Sequence, residues 1–204
     1  MNMKILFLGD SITDAGRDRL NDSDLGSGFV HIFAGKLRLL YPDINFTFVN
    51  RGVSGQTMRD VAEGADRNLE CKPDLVVLLA GVNDVVCRFS EGIEISPDAF
   101  EESFRSAVRK VATSGAKLVV LQPFVLNVPD KARYRRFFDK FLERMQKVVE
   151  EEGVDFIPLD AYFNGLCVSI SPYDYAADGI HPTHRASRLI ADNLIKMIKK
   201  YIEE

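Results

Sequence analysis

Apolar residues fall into five short continuous runs: Lys4 to Leu8, Ile44 to Val49, Leu75 to Leu79, Leu118 to Gln122, and Val154 to Pro158. Unbroken runs of this length, rather than alternating ones, predict strands covered on both faces, as in a parallel sheet. Between most of them lie longer stretches with apolar residues at helical spacing. Ser96 and Pro97 mark one helix start, with Ser as cap and Pro in the first helical position. Phe100, Phe104, Ala107, Val108 and Val111 then form its inward stripe, and Gly115 closes it. A second helix is predicted from Lys131 to Glu151, with Phe137, Phe138, Phe141, Met145 and Val148 inward. A third follows Pro182, burying Ile190, Leu194, Met197, Ile198 and Tyr201. Residues 28–40 and 58–69 read as helical too. Strand and helix patterns in alternation predict a single three-layer α/β/α domain with right-handed crossovers. Ligands bind such sheets at loops after the carboxyl ends of strands. Those loops are residues 14–28, 50–57, 81–95 and 124–130.

Composition adds boundaries to this picture. The 204 residues suit one domain, 1–204, with a core large enough to need neither disulfide nor metal. With 26 basic against 30 acidic residues, the net charge is -4, which offers no basic field for nucleic acid. The cluster Lys131 to Arg136 reads as a solvated helix face or a contact between copies. Cys71, Cys87 and Cys167 form no Cys-x-x-Cys motif. The first apolar run stops at Gly9-Asp10, too short for a signal sequence, and no run approaches a membrane span. The expected state is a soluble cytoplasmic protein that does not engage membranes.

The candidate chemistry begins directly after the first strand, at Gly9-Asp10-Ser11-Ile12-Thr13. A serine here can present its hydroxyl where backbone N–H groups converge, or it can serve only as a helix cap. The run lacks the spacing of a dinucleotide loop, a phosphate loop or a Gly-x-Ser-x-Gly elbow. Near the other end stands Asp178-Gly179-Ile180-His181-Pro182. A turn this short can return the Asp178 carboxylate to the imidazole Nδ1, leaving Nε2 free to act as a base toward a serine; it can equally be a surface turn. Asp178, His181 and His184 also have a spacing that a metal could use, although no further ligand cluster accompanies them. His184 reads better as a helix-surface group or one that supports the site from behind, and His31 as structural or pocket-lining. Gly52, in Asn50-Arg51-Gly52-Val53-Ser54-Gly55, and Asn83, in Gly81-Val82-Asn83-Asp84, follow strands two and three. With the Ser11 N–H they would supply donors to an oxyanion.

Four such motifs in this order resemble the SGNH, or GDSL-type, hydrolases, a family of esterases and lipases, over nearly the whole chain. Ile12 stands where many members have Leu, and no catalytic position departs from the family pattern. The resemblance implies a flavodoxin-like five-stranded sheet ordered 2-1-3-4-5 and ester hydrolysis through an acyl-enzyme without metal or organic cofactor. In that scheme Ser11 is nucleophile, His181 base, and Asp178 the acid that orients it, while Ser11, Gly52 and Asn83 form the oxyanion hole. The motif sequences are most similar to the carbohydrate O-acetylesterase branch, especially acetyl-xylooligosaccharide esterases. The branch implies a small-molecule or oligosaccharide ester as substrate, and self-association into a homo-oligomer. Polar and aromatic loop residues fit a sugar: Asp14, Arg17, Asp24, Arg59, Asp84, Arg88, Tyr173 and Tyr175. Phe124 or Tyr173 would replace the absent Trp as stacking surface. Asp10, Arg59, Asp84, Phe124, Tyr173 and Tyr175 are therefore the expected substrate contacts. Competing readings are an esterase for longer or non-sugar acyl groups (lysophospholipase, thioesterase or arylesterase), a binding protein without turnover, and a magnesium-dependent phosphoryl-transfer protein using Asp10.

Overall fold

A computed structural model of the chain describes residues 1–203. Five strands, β1 (Asn2–Gly9), β2 (Asn45–Asn50), β3 (Leu75–Leu79), β4 (Lys117–Leu121) and β5 (Asp155–Ile157), form one parallel sheet in the order 2-1-3-4-5. One face carries α2 (Phe29–Leu40), α7 (Leu159–Leu166) and α8 (His184–Glu203). The other carries α3 (Met58–Leu69), α4 (Asn83–Ser90), α5 (Pro97–Ser114) and α6 (Ala132–Glu152). A four-residue helix, α1 (Ser11–Asp14), follows β1 directly.

Side chains of β1 divide between two cores. Ile5 and Phe7 enter the core beneath α2 and α8, and Leu6 and Leu8 enter the one beneath α3 and α5. All five side chains of β3 are buried for the same reason, which accounts for the unbroken apolar runs. The edge strand β2 differs: Phe46, Phe48 and Asn50 are buried while Asn45 and Thr47 are exposed. Alternation appears there because only one face of the edge is covered.

Helix limits follow their caps. Ser96 accepts a hydrogen bond from the Ala99 N–H at the start of α5, and Gly115 closes it in the left-handed conformation. Thr57 and Asp60 form a reciprocal capping box on α3. Two elements depart from the sequence expectation. Residues 83–90, expected as loop, form α4, and residues 159–166 form α7, which the pattern did not indicate. Both helices are only eight residues long, too short to establish a clear periodicity. The last helix begins at His184 rather than at Pro182, after Thr183 accepts a hydrogen bond from the Ala186 N–H. Among the described residues no helix is long and apolar enough to cross a membrane.

Candidate active site

The sheet order brings the first and last motifs together. β1 lies between β2 and β3, so α1 starts in mid-sheet, beside the loops that follow β2 and β3. Asp10 caps α1 through Oδ1, which accepts the Ile12 N–H at 3.0 Å. Ser11 is the first residue of this helix, and its N–H has no partner among the described residues. Its Oγ lies 2.9 Å from His181 Nε2. On the other side of the ring, Nδ1 lies 2.6 Å from Asp178 Oδ2. Asp178 Oδ1 accepts the backbone N–H groups of Ile180 at 2.9 Å and His181 at 2.7 Å. One carboxylate thus shapes the turn and orients the ring.

Gly179 is required within that turn. Its φ is +81°, and a Cβ there would stand 2.7 Å from Val128 Cγ2 and 3.0 Å from Lys131 Cγ. The Leu126 N–H donates to Gly179 O at 2.8 Å, tying the turn to the loop after β4. That loop is held in turn by Asp160, which accepts the Val125 N–H and a two-pronged bond from Arg135.

Charge within this chain of groups is strongly ordered. Partial burial pushes the Asp178 carboxyl up, but hydrogen bonds from the His181 ring and the two backbone N–H groups hold it far below the usual carboxylate range. The bond to Asp178 raises His181 above its ordinary value, against an opposing effect of partial burial. A base must be neutral to accept a proton. Hence kcat/KM should rise with pH through a midpoint above about 6.5, the ordinary histidine value. A pH–rate profile with its acid limb at or below that value would contradict the Asp178–His181 coupling.

The donors around Ser11 differ in one respect from the sequence reading. Gly52 is buried, and its N–H already donates to Asn50 Oδ1 at 2.9 Å. Its carbonyl accepts Arg17 Nε at 3.1 Å. Gly52 is therefore not an oxyanion donor here; it is a packing glycine. A Cβ at Gly52 would stand 2.4 Å from the Asp14 N and 2.8 Å from Thr13 C. Gly52→Ala should consequently cost about 3 kcal/mol in stability, because backbone rather than a flexible side chain must yield. Urea unfolding checks this, and a loss below about 0.5 kcal/mol would refute it.

Gly55, which the sequence reading passed over, has the missing property. It is exposed, has φ +87°, and its N–H has no partner among the described residues. The neighbouring Gln56 carbonyl accepts Asn83 Nδ2 at 2.9 Å, which sets Asn83, the first residue of α4, against the same loop. The loop is fastened to α1 as well: Asp14 Oδ2 accepts the Ser54 N–H at 2.8 Å and Ser54 Oγ at 3.0 Å. The spacing Asn50-x-Gly52-x-Ser54-Gly55 held the signal, since an Asn side chain readily bonds the N–H two residues on. That bond takes the first glycine and leaves the second.

Most expected substrate contacts are not at the surface. Asp10, Asp84, Phe124 and Tyr175 are all buried, and the structure corrects each. Burial pushes the Asp10 carboxyl up to about 7 despite the Ile12 N–H bond, and Asp84 up to about 7 despite a bond from the Met58 N–H. Asp84 thereby joins α4 to the start of α3. Asp10, shielded from solvent, cannot be the nucleophile that a phosphoryl-transfer reading requires. Phe124 and Tyr175 both pack on Phe163 of α7, a helix whose presence the sequence pattern did not reveal. Arg59 is exposed and paired with Glu63. Tyr173, on the 3₁₀ turn Pro172–Asp174, keeps an exposed ring. His184 and His31 are exposed helix residues, neither hydrogen-bonded to Ser11 or Asp178.

Comparison with known proteins agrees with this geometry. Residues 7–189 match the model of the GDSL-like Lipase/Acylhydrolase family. An acetylxylan esterase from Geobacillus stearothermophilus is 30% identical over 204 residues, covering 96% of this chain and 93% of the relative. The crystal structure of Axe2, an acetylxylan esterase from the same organism, superposes with a TM-score of 0.88 at 29% identity, covering 97% of this chain and 94% of Axe2. Catalytic mutants of Axe2, with a serine, an aspartate or a histidine replaced by alanine, superpose equally well. A putative GDSL-like lipase from Parabacteroides merdae gives 0.90 at 27% identity, covering 96% of this chain and 94% of that one. By sheet order, by motif order and by the match across residues 7–189, the chain belongs to the GDSL-like lipase/acylhydrolase family, as a serine-type carboxylic ester hydrolase.

Proposed function

We propose that the protein removes a small acyl group, acetyl, from a carbohydrate such as an acetylated xylo-oligosaccharide. The observation that carries the chemistry is the unbroken hydrogen-bonded line from Ser11 through His181 to Asp178, with N–H groups at Ser11 and Gly55 that have no partner among the described residues. In this reading Ser11 Oγ attacks the ester carbonyl as its proton passes to His181 Nε2. Asp178 holds the Nδ1–H tautomer and stabilises the imidazolium. The carbonyl oxygen, now negative, is met by the Ser11 and Gly55 N–H groups and the Asn83 amide. Each such donor contributes about 3 kcal/mol when judged by its removal. His181 then protonates the departing sugar oxygen, and the acyl–Ser11 ester forms. Water, deprotonated by His181, attacks that ester and releases acetic acid with Ser11 restored.

The substrate class is supported by relatives described as an acetylxylan esterase and as an acetyl-xylooligosaccharide esterase. The exposed large apolar residues Leu20, Leu39, Leu40, Ile93 and Val168 fall in four separate places, with Leu39 and Leu40 together at the end of α2, unlike the broad apolar mouth that suits a lipid. The test measures acetate release from acetylated xylo-oligosaccharides beside a series of aryl esters from acetate to octanoate. The expected result is sugar deacetylation and a fall in kcat/KM of more than about tenfold between acetate and hexanoate. Activity that rises with acyl length, with no acetate from the sugar, would favour the lipase or thioesterase reading instead.

A further inference from the structure

Behind the loop that carries Gly55 lies a polar cavity of about 710 Å³ that the proposed reaction does not use. Its walls are the segment after α1, the loop 51–56 and the end of α3. Arg17, Arg19, Arg51 and Arg67 line it, with Asn68 and Glu70 at the α3 side. Two of these arginines are matched: Arg19 pairs with Asp14 at 2.5 Å, and Arg51 holds Asp22 through two hydrogen bonds.

The other two are not. Arg17 is 8% exposed, and its one side-chain hydrogen bond among the described residues is Nε to Gly52 O at 3.1 Å. Its Nη1 is buried without a partner among the described residues. A guanidinium so placed bears a desolvation cost that a neutral carbonyl only partly offsets. Burial pulls the Arg17 pKa down, Asp14 raises it, and the charges of Arg51 and Arg19 lower it again. Arg67, on α3, is exposed, and its side chain has no hydrogen bond or ion pair among the described residues. Glu70 lies one turn further on, also unpaired among the described residues.

We propose that this cavity is an oxyanion-binding site that takes a carboxylate group, with Arg17 and Arg67 as the donors that close on it. The four arginines face three carboxylates, Asp14, Asp22 and Glu70, so the surplus of one positive charge matches a monoanion. Planar guanidinium groups recognise a carboxylate through paired N–H donors. The chemical class that combines this anion with polar surroundings is an acidic sugar, either free in solution or borne by a longer oligosaccharide. The site is coupled to the reaction loop through Gly52, whose carbonyl is the Arg17 acceptor, and through Val53 and Gln56, which also line the cavity.

Binding is measured first, without turnover. Titration of the protein with sodium glucuronate, against glucose and sodium chloride at matched ionic strength, should show saturable binding to the charged sugar alone by calorimetry and by arginine Nε–Hε resonances. Arg67→Gln and Arg17→Gln should each weaken it by about tenfold or more, while Arg136→Gln on α6 should not. Arg67 is exposed, so its variant keeps the test valid even where Arg17→Gln fails to fold. A second arm, which rests on the esterase reading, compares kcat/KM for acetylated oligosaccharides with and without a uronate branch. A preference for the acidic substrate that disappears in Arg67→Gln supports the site and assigns the anion to the substrate. Equal rates together with glucuronate binding support the site as one for a free acid. Absence of saturable glucuronate binding, or binding unchanged in both variants, overturns the proposal. Loss of all turnover with binding intact would count against the esterase reading and leave the site standing.

Discussion

In Ser11→Ala, kcat for ester hydrolysis is expected to fall by about 10⁴- to 10⁶-fold, with the unfolding free energy within about 0.5 kcal/mol of the parent. The size of the fall follows from the loss of the atom that forms the acyl-enzyme; the N–H donors alone retain a small rate advantage over water. Stability is preserved because Asp10, not Ser11, caps α1. A serine-directed fluorophosphonate should add its mass to the peptide containing Ser11 in the parent and to no peptide in the variant. Undiminished turnover, or equal labelling of both proteins, would remove Ser11 from the mechanism.

Asp178→Asn is expected to lower kcat by about 10⁴-fold with little change in fold. An asparagine can keep its carbonyl oxygen toward the Ile180 and His181 N–H groups, so the turn survives. Its NH₂ then faces His181 Nδ1, which becomes the acceptor, and the ring proton moves to Nε2. That nitrogen can no longer accept from Ser11 Oγ. The same change removes the largest influence holding the His181 pKa up, so its NMR titration midpoint should move down. Asp178→Ala would lose the turn as well, and the comparison of the two variants separates tautomer control from folding. A variant Asp178→Asn with near-parental kcat and an unmoved His181 midpoint would show that the carboxylate acts only on the backbone.

Asp178 and His181 were legible early because they are local. Four consecutive residues, one of them a glycine with positive φ, fix the turn. The inner strands were legible because burial on both faces leaves no room for polar positions, as in β3, whereas the edge strand β2 alternates because one face is open. The oxyanion loop was only half legible. Two glycines stand three apart, and nothing in their order says which N–H the Asn50 side chain will take. The expected rim was the least legible part. Polar and aromatic residues in loops read alike whether they face a ligand or a neighbouring helix.

The sequence by itself determined the alternation of strands and helices, the caps on α3 and α5, and the acid–base turn, since each depends on residues within a few positions of one another. Tertiary structure alone decided that Ser11 meets His181 across 170 positions of chain. It also decided that Phe124 and Tyr175 belong to the core, because α7 covers them. Among the described residues it left Gly55, not Gly52, with an unengaged N–H, and Arg17 buried with an unsatisfied nitrogen. In each case the deciding quantity is which partner arrives in space, and hydrogen bonds and burial are settled by that arrival rather than by residue type.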